Sequence, residues 1–394
     1  MDFRKEKSQL LLIASLSLPW LISLTLDYPH LPIIQTFLSG MAVISASFLI
    51  SWAAETAEMD VPRSFSLAIV ALLAVLPEYA VDGYFAWKAG SVGGDYVHYA
   101  TANMTGANRL LIGIGWSLIA FLAFKAMKTK EVKLDEGIRL EILFLLLATL
   151  YAFTIPLKGS ISPFDAIVFV SLYAAYVFLA TKAEREEVEM GGVPAYLCSL
   201  KTGQRRLSVV LLFLFAGSVI LLSVEAFSEG LLETARIFGV DEFLAVQWIA
   251  PLASESPELI VAVYFVKRMR VTASMNALIS SKVNQWTLLI GTIAVIYSIS
   301  AFKLQSLPLD ARQSEEVLLT AAQSIFAVAI LLDLKISWKE AFALLTLFVV
   351  QLMFPGVEVR YAISGVYIIL ALPIFVKNRH EVAKSFRAVK SLIF

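Results

Sequence analysis

Two Pro-Glu pairs lie near the middle of long apolar segments. Pro77-Glu78 falls within an apolar run at residues 67–87, and Pro257-Glu258 falls within a run at residues 241–266. Proline has no N–H group, so the carbonyl group four residues before it loses its helical hydrogen bond. A carboxylate beside a freed carbonyl offers hard oxygen ligands, which suit Na⁺, Ca²⁺ or a proton. The two pairs predict a cation site, and the alternative is a kinked helix whose Glu is paired with a neighbouring helix.

The second Pro-Glu pair follows other oxygen-bearing side chains. Ser254 and Glu255 precede it, and Glu255 and Glu258, three residues apart, share one face of a helix. Two carboxylates this close are not both ionised without a cation between them, so we expect one of them to hold a proton. The cluster therefore predicts a means of coupling a proton to a metal ion.

Two basic residues, Arg109 and Lys282, also lie in the middle of apolar runs. A cation at that depth needs an anionic partner, and a structural ion pair with an acid of a neighbouring repeat helix is one hypothesis for both. The other hypothesis, for Lys282, is a tethered surrogate that occupies the cation site when the substrate is absent. Asp82, one helical turn beyond Glu78, either lines an outward path or is capped by Arg109 or water.

The segment around the first Pro-Glu pair returns in the second half of the chain. Pro, Glu, Val, Tyr and Phe coincide between residues 77–85 and residues 257–265. Asn108 is then matched by Asn284, and a Leu-Leu-Ile-Gly sequence follows each of them. The repetition singles out Asn108 and Asn284 as further candidate ligands among the polar residues of these segments.

The elements that position these residues are predicted to be transmembrane helices. The chain has 394 residues, 59% hydrophobic and 16% charged. Apolar runs of about 17–25 residues are long enough to cross a bilayer. We predict twelve, at 10–26, 33–54, 67–87, 97–124, 139–155, 163–181, 207–228, 241–266, 271–300, 314–332, 338–354 and 361–376.

Lys and Arg predict the orientation, because they concentrate in cytoplasmic loops. With the N-terminus inside, 24 of the 32 Lys and Arg residues fall on the cytoplasmic side and 6, Arg360 among them, fall outside. The remaining two are Arg109 and Lys282. The chain is therefore predicted to be a multi-pass protein of the cell membrane, with both termini in the cytoplasm.

The repeat spans five helices, an odd number, so its second copy enters the membrane from the opposite side. The predicted fold is an all-α polytopic membrane protein with about 12 transmembrane helices, built from two inverted five-helix repeats plus one extra helix at each end. Inverted repeats are typical of secondary transporters, with the ion site near the midplane where the repeats meet. The predicted parts are an extra helix in 1–30, the first repeat in 31–181, a cytoplasmic linker in 182–206, the second repeat in 207–356, and an extra helix with a basic tail in 357–394.

Other functional classes find little support in the composition. A net charge of zero gives no reason to expect nucleic acid, and the single cysteine, Cys198, excludes an internal disulfide. Enzyme motifs such as Gly-x-Ser-x-Gly and His-Glu-x-x-His are absent from the sequence. We expect no enzyme activity and no cofactor, and the expected partners are the lipid bilayer and inorganic cations.

These motifs resemble the α-repeats of the calcium/cation antiporter superfamily, which includes the sodium/calcium exchangers. In that family a Ser/Thr-rich stretch ends in Pro-Glu on one helix, and Gly-Ser-Asn lies on the next. Residues 74–78 with 106–108 look like the first repeat, and residues 254–258 with 282–284 look like the second.

The resemblance implies a secondary-active cation antiporter of the sodium/calcium exchanger type. Such a protein exchanges a metal cation, Na⁺ or Ca²⁺, against Na⁺ or H⁺ by alternating access. By the same analogy, Glu78 and Glu258 take the places of the central ion-binding glutamates. Ser254, Glu255, Asn108 and Asn284 complete the candidate ligands.

This chain departs from the family pattern at several ligand positions. Ala74-Val75 replaces the hydroxyl residues of the first repeat, and Glu255 and Lys282 replace a hydroxyl residue and a glycine of the second. Leu111 and Thr287 stand where the family places Asn or Asp. Calcium prefers six to eight oxygen ligands. A monovalent Na⁺/H⁺ exchanger that does not use calcium is therefore an alternative, and a gated cation channel or a non-transporting sensor on the same fold is an alternative from another class.

Overall fold

A computed structural model describes residues 3–26, 31–60, 75–182 and 190–393 of the chain. Ala74, Arg63 and the beginning of the predicted helix 67–87 lie outside these ranges. The described helices are α1 Arg4–Ser15, α2 Leu18–Ser23, α3 Pro32–Ala57, α4 Leu76–Ser91, α5 Tyr96–Leu110, α6 Ser117–Met127, α7 Arg139–Ala152, α8 Thr154–Lys158, α9 Pro163–Ala180, α10 Gly192–Cys198, α11 Thr202–Phe238, α12 Glu242–Lys267, α13 Val271–Asn284, α14 Ile290–Ser300, α15 Ala311–Leu331, α16 Trp338–Met353, α17 Val357–Lys377 and α18 Arg379–Ile393.

Nine helical segments of the described ranges are long and apolar enough to cross a membrane. They are Pro32–Ala57, Tyr96–Met127, Glu136–Lys158, Pro163–Ala180, Thr202–Phe238, Glu242–Lys267, Val271–Ser300, Ala311–Leu331 and Val357–Lys377. Each matches one of the twelve predicted spans, so the polytopic helical fold is confirmed. The count of twelve is not confirmed, because the run 10–26 forms two short helices, α16 has only 16 residues, and the run 67–87 is described only from Val75.

The chain divides into two compact units, each made of two stretches of sequence. The first comprises Met1–Phe85 and Glu186–Pro257, and the second comprises Ala86–Arg185 and Glu258–Phe394. These units are not the two predicted repeats, since each unit takes residues from both 31–181 and 207–356. The predicted repeat boundaries and linker therefore stay predictions.

In the first unit, α3 and α11 pack side by side. The hydroxyl groups of Thr36 and Thr234 lie 3.0 Å apart. A Cβ at Gly230 would lie 2.7 Å from Thr36 Oγ1, and one at Gly40 would lie 3.1 Å from the Phe227 ring. Small residues therefore let these two helices approach closely, as is common between helices in membranes.

Hydrogen bonds join this helix pair to neighbouring parts of the chain. Trp20 of α2 donates a hydrogen bond from Nε1 to the carbonyl of Leu222 at 3.3 Å. Arg205 donates to both carboxylate oxygens of Asp60 at 2.7 and 2.8 Å, and this lowers the pKa of Asp60 to about 2. This Arg205–Asp60 ion pair joins the chain just beyond α3 to the first turn of α11.

In the second unit, two short antiparallel ladders connect the predicted repeats. β1 (Glu131–Lys133) pairs with β4 (Lys335–Ser337), and β2 (Ser160–Ile161) pairs with β3 (Leu307–Pro308). The repeat makes β1 equivalent to β3, and β2 equivalent to β4. The candidate membrane-spanning segment Glu136–Lys158 separates β1 from β2, so these two strands lie on opposite sides of the membrane. Because β3 pairs with β2, the equivalent strands β1 and β3 also lie on opposite sides, as inverted repeats require.

The backbone of the second unit repeats in finer detail. A π-helical segment, Leu111–Trp116, joins α5 to α6, and another, Gln285–Leu289, joins α13 to α14. Gly113 packs against Phe348 of α16, whereas Gly291 packs against Val170 of α9. Each glycine therefore contacts the last helix of the opposite repeat. The sequence pattern did not predict the π-helical segments, which are frequent at functional sites.

Candidate functional site

The first Pro-Glu pair lies in the first turn of the described part of α4. Glu78 and Asp82 are 2% and 1% exposed, and their spacing places both on one helix face. Leu73, whose carbonyl we expect Pro77 to free, lies outside the described residues. The structure thus places two buried carboxyl groups of the first unit one turn apart.

The second Pro-Glu pair lies inside α12, as predicted. The helix runs from Glu242 to Lys267 and contains both Pro251 and Pro257. Neither proline has an N–H group to donate, so two backbone carbonyl groups lose their ordinary helical donors. The carbonyl that Pro257 frees is that of Ala253, and the Ser256 hydroxyl donates to it at 3.5 Å. The Ser254 hydroxyl donates to the carbonyl groups of Ala250 and Pro251 at 3.3 and 3.4 Å.

The acidic residues of this helix are distributed over both units. Ser254 and Glu255 belong to the first unit, and each is less than a tenth exposed. Glu258 begins the second unit, where the Ser281 hydroxyl of α13 lies close to its carboxyl group. The predicted proximity of Lys282 to Glu255 and Glu258, and that of Arg109 to Asp82, stay predictions.

Lys282 and Asn108 come together in the second unit. Lys282 is fully buried, and its ammonium donates to Asn108 Oδ1 at 2.6 Å and to the Asn108 carbonyl at 3.4 Å. The ammonium also lies 4.4 Å from the centre of the Trp286 ring, in a cation–π contact. A candidate ligand oxygen is therefore occupied by a cation that belongs to the protein.

The two repeated asparagines have different neighbours. Asn108 donates from Nδ2 to the carbonyl of Met104 at 2.8 Å, which turns its Oδ1 toward Lys282. Asn284 instead donates from Nδ2 to the Tyr173 hydroxyl of α9 at 3.1 Å. Among the described hydrogen bonds, Lys282 is therefore joined to Asn108, whereas Asn284 is joined to Tyr173.

Arg109 belongs to a buried network of four charges. It forms an ion pair with Glu316 of α15. Arg360 of α17 lies 2.5 Å from Glu316 and 2.9 Å from Glu315. All four side chains are at most 3% exposed, and Gln323 of α15 donates to the Arg109 carbonyl at 3.2 Å. The positive charges of the two arginines equal the negative charges of the two glutamates. This fits the hypothesis that Arg109 forms a structural ion pair.

Sequence reasoning missed three members of this network. Glu315 and Glu316 stand at the head of a predicted span, and two adjacent acids there are a signal that predicts a buried partner. Arg360, placed in an outside loop by the Lys and Arg count, is buried in the first turn of α17. The network therefore anchors the C-terminal extra helix to α5 and α15 within the second unit.

The described residues contain no group of three or more His, Cys, Asp or Glu side chains placed to hold a metal ion together. Serine hydroxyl, asparagine amide and backbone carbonyl oxygens fall outside that test. Hard cations accept all three types of oxygen. A cation site built from the described residues would therefore combine one or two carboxylates with neutral oxygens.

Comparison with known proteins gives both a family and close structural relatives. The family model described as sodium/calcium exchanger protein matches residues 32–182 and 208–357. The crystal structure of an H⁺/Ca²⁺ exchanger, CAX, is 83% identical in sequence, with a TM-score of 0.97, and the match covers 100% of this chain and 99% of that one. A search of curated protein sequences gave no significant match.

Two more distant structures share the fold. The sodium-calcium exchanger NCX_Mj is 18% identical, with a TM-score of 0.54 over 82% of this chain and 99% of that one. The Ca²⁺/H⁺ antiporter YfkE is 16% identical, with a TM-score of 0.63 over 94% of this chain and 99% of that one. At these identities the likeness shows the fold alone.

Proposed function

The chain belongs to the sodium/calcium exchanger protein family, and on that basis we propose that it is a secondary-active antiporter that exchanges Ca²⁺ for H⁺. The family consists of transporters rather than enzymes. The observation that carries the choice of ions is the 83% identity, over the full length, to an H⁺/Ca²⁺ exchanger. The more distant sodium-calcium exchanger supports the fold and gives no reason to choose Na⁺ as the counter-ion.

Competition for carboxylates supplies the coupling in this proposal. Glu78, Glu255 and Glu258 are the candidate carboxylates, with neutral oxygens from Ser254, Asn108 and Asn284. A carboxylate that holds a proton is a poor calcium ligand, and a bound cation favours loss of that proton. Alternating access then carries either Ca²⁺ or protons, and net exchange follows from their exclusion of each other.

Transport into proteoliposomes tests the proposal directly. We expect an imposed pH gradient to drive Ca²⁺ uptake without Na⁺, and we expect Glu78→Gln and Glu258→Gln each to remove it. Glu131→Gln, an exposed acid of β1, is the matched control and is expected to leave uptake unchanged. Wild-type uptake that follows a Na⁺ gradient and ignores the pH gradient would overturn the choice of H⁺. Full activity in both glutamate variants would overturn the site.

Monovalent Na⁺/H⁺ exchange is the second candidate function. It is favoured by the Lys282 ammonium, a monovalent cation, at the candidate ligand oxygen of Asn108. Proton efflux driven by Na⁺ in calcium-free proteoliposomes would support it. Such efflux, together with the absence of pH-driven Ca²⁺ uptake, would replace the calcium proposal.

We further propose that both termini face the cytoplasm, as the distribution of Lys and Arg predicts. The two strand ladders are consistent with this orientation, because β1 pairs with β4 on one side of the membrane and β2 pairs with β3 on the other. In a Cys198→Ala background, cysteines at Lys158 and Lys303 are expected to react with an impermeant reagent from outside. One at Lys130 is not, and its labelling from outside would reverse the assignment.

A further inference from the structure

The predicted basic tail forms a helix, α18, which begins two residues after the last residue of α17, Lys377. Successive residues of an α-helix are turned by about 100°, so the sequence can be placed around the helix axis. Three strips follow one another around α18. The first is buried, the second is apolar and at least partly exposed, and the third is basic and exposed; they consist of Glu381 and Ser385, then Val389, Val382 and Phe386, then Arg379, Lys390 and Arg387. A basic strip beside an apolar one is typical of helices that lie in the membrane–water interface.

The buried strip fastens α18 to the second unit at the end of a candidate membrane span. Arg139, in the first turn of α7, donates from Nη2 to Glu381 Oε2 at 2.8 Å. The first turn of α7 belongs to one end of the segment Glu136–Lys158, which is long and apolar enough to cross a membrane, as is α17. This contact therefore holds α18 at the level where both segments leave the membrane.

An exposed aromatic residue marks the same level. Trp338 is the first residue of α16 and is 42% exposed. It directly follows β4, which pairs with β1, and β1 in turn precedes α7. Trp338 and α18 therefore lie on the same side of the second unit. Tryptophan is enriched at the membrane–water interface, so its position agrees with an interfacial level for α18.

The acidic groups that contact α18 are paired with other basic residues. Glu136, whose side chain is 78% exposed, and Glu381 both form ion pairs with Arg139. Glu381 is also 2.7 Å from the Lys384 ammonium. The positive charges of Arg139 and Lys384 thus equal the negative charges of the two glutamates, which leaves the charge of the basic strip uncompensated.

The basic strip is placed to meet negative charge at the membrane surface. Arg379, Arg387 and Lys390 are exposed, and none of them forms an ion pair with another residue of the described ranges. They lie beside Phe386, which is 49% exposed. Long basic side chains extend along apolar surface and keep their charges at the level of the lipid headgroups. The phosphates of anionic lipids are the complementary charges at that level.

We propose that α18 is an interfacial helix that binds anionic phospholipids. Phe386 enters the boundary between headgroups and acyl chains, and Arg379, Arg387 and Lys390 bind the lipid phosphates. The ion pair between Glu381 and Arg139 connects this anchor to α7, so that bound anionic lipid stabilises the folded protein. The proposal does not depend on which ions the protein exchanges.

Thermal unfolding of the purified protein in detergent, with added phosphatidylglycerol or with phosphatidylcholine of the same acyl chains, tests the binding. We expect phosphatidylglycerol to raise the Tm more, because a ligand of the folded state stabilises it. In a variant with Arg379→Gln, Arg387→Gln and Lys390→Gln, the concentration that gives half of this rise should increase by about tenfold or more. The matched control carries Lys125→Gln, Lys128→Gln and Lys130→Gln, which remove three exposed charges from the chain just before β1, on the same side. The control should respond as the wild type does.

Spin labels test the depth of α18 in proteoliposomes that contain both lipids. In a Cys198→Ala background, a label attached after Phe386→Cys is expected to be more accessible to oxygen, which concentrates among the acyl chains, than to a water-soluble nickel complex. A label attached after Arg387→Cys, about 100° around the helix, should show the reverse preference.

Each result supports or overturns the proposal. Loss of the phosphatidylglycerol response in the α18 variant alone, with the label at position 386 among the acyl chains, supports it. An equal rise in Tm with either lipid or with inorganic phosphate, or an equal loss of response in the control variant, overturns it. A label at position 386 that the nickel complex reaches as readily as one at position 387 also overturns it. Should the α18 variant fail to fold, the labels decide alone.

Discussion

Two segments of the second unit, α5–α6 and α13–α14, have the same backbone plan and bury their cations against different groups. Each has an asparagine shortly before a π-helical segment, and each then has a glycine that contacts the last helix of the opposite repeat. Arg109 of the first segment is joined to the carboxylate of Glu316, whereas Lys282 of the second is joined to the amide oxygen of Asn108. The two copies of the repeat thus share a backbone conformation, but their buried cations contact different groups.

Depth in the membrane does not by itself assign a role to a basic residue. Arg109 lies in a charge-balanced network that links α5 to α15 and, through Arg360, to α17. Lys282 reaches an oxygen that is itself a candidate cation ligand. We therefore expect damage to the first arrangement to appear as lost stability, and damage to the second to appear as altered transport.

The largest effect is expected at Glu316, which bridges the two arginines. Glu316→Gln leaves two buried guanidinium groups with one carboxylate, and breaking a buried ion pair in this way costs about 3–5 kcal/mol. Thermal or denaturant unfolding of the purified protein in detergent measures the loss. Glu358→Gln, an exposed acid in the first turn of α17, is the control and should change stability little. A loss at Glu316 no larger than the control's would remove the structural role assigned to the network.

A smaller effect is expected where the backbone plan is shared. A Cβ at Gly113 would overlap the Phe348 ring, and one at Gly291 would lie 2.8 Å from Val170 Cγ2. Overpacking of this kind costs about 1–3 kcal/mol. We expect Gly113→Ala and Gly291→Ala to lower the free energy of unfolding by similar amounts. Gly365→Ala on α17, where no atom lies within 4 Å, should not. A large loss in only one of the first two variants would show that the packing is not equivalent.

The sequence predicted much of this backbone plan. The polytopic fold was predicted from the apolar spans of about twenty residues. The inverted repeat was predicted from the repeated Pro-Glu and Asn positions and the odd number of helices in each repeat. The strand ladders now support the inversion independently. The π-helical segments were missed because a short run such as residues 111–116 is apolar whether it forms an α-helix or a π-helix.

Side-chain partners were predicted less well, because they depend on contacts between distant parts of the chain. Lys282 and Asn108 are 174 residues apart, and no spacing rule within one helix relates them. Arg360 was assigned to an outside loop because a count of charges assumes that Lys and Arg near the end of a span meet water. That assumption does not hold for Arg360, because its side chain is buried against Glu315 and Glu316.

The smallest effect on stability, and the most informative effect on transport, is expected for Lys282→Gln. Glutamine can still donate a hydrogen bond to Asn108 Oδ1, so the loss of stability should stay within about 0.5–1.5 kcal/mol, the net value of one hydrogen bond. If the ammonium is a surrogate ion, the variant should bind Ca²⁺ at least as tightly as the wild type, because no tethered cation occupies Asn108.

Proton coupling distinguishes the two hypotheses for Lys282. An ammonium displaced from Asn108 by an entering cation is left in an apolar interior, where the neutral amine is favoured, so cation entry would release a proton. Lys282→Gln should then weaken the dependence of Ca²⁺ uptake on the pH gradient while uptake itself persists. Flux over a range of pH gradients and unfolding of the same preparation measure both properties. A variant destabilised by about 3–5 kcal/mol with normal proton coupling would instead identify Lys282 as half of a structural ion pair. The comparison with Arg109 would then fail, because both repeats would use their cation in the same way.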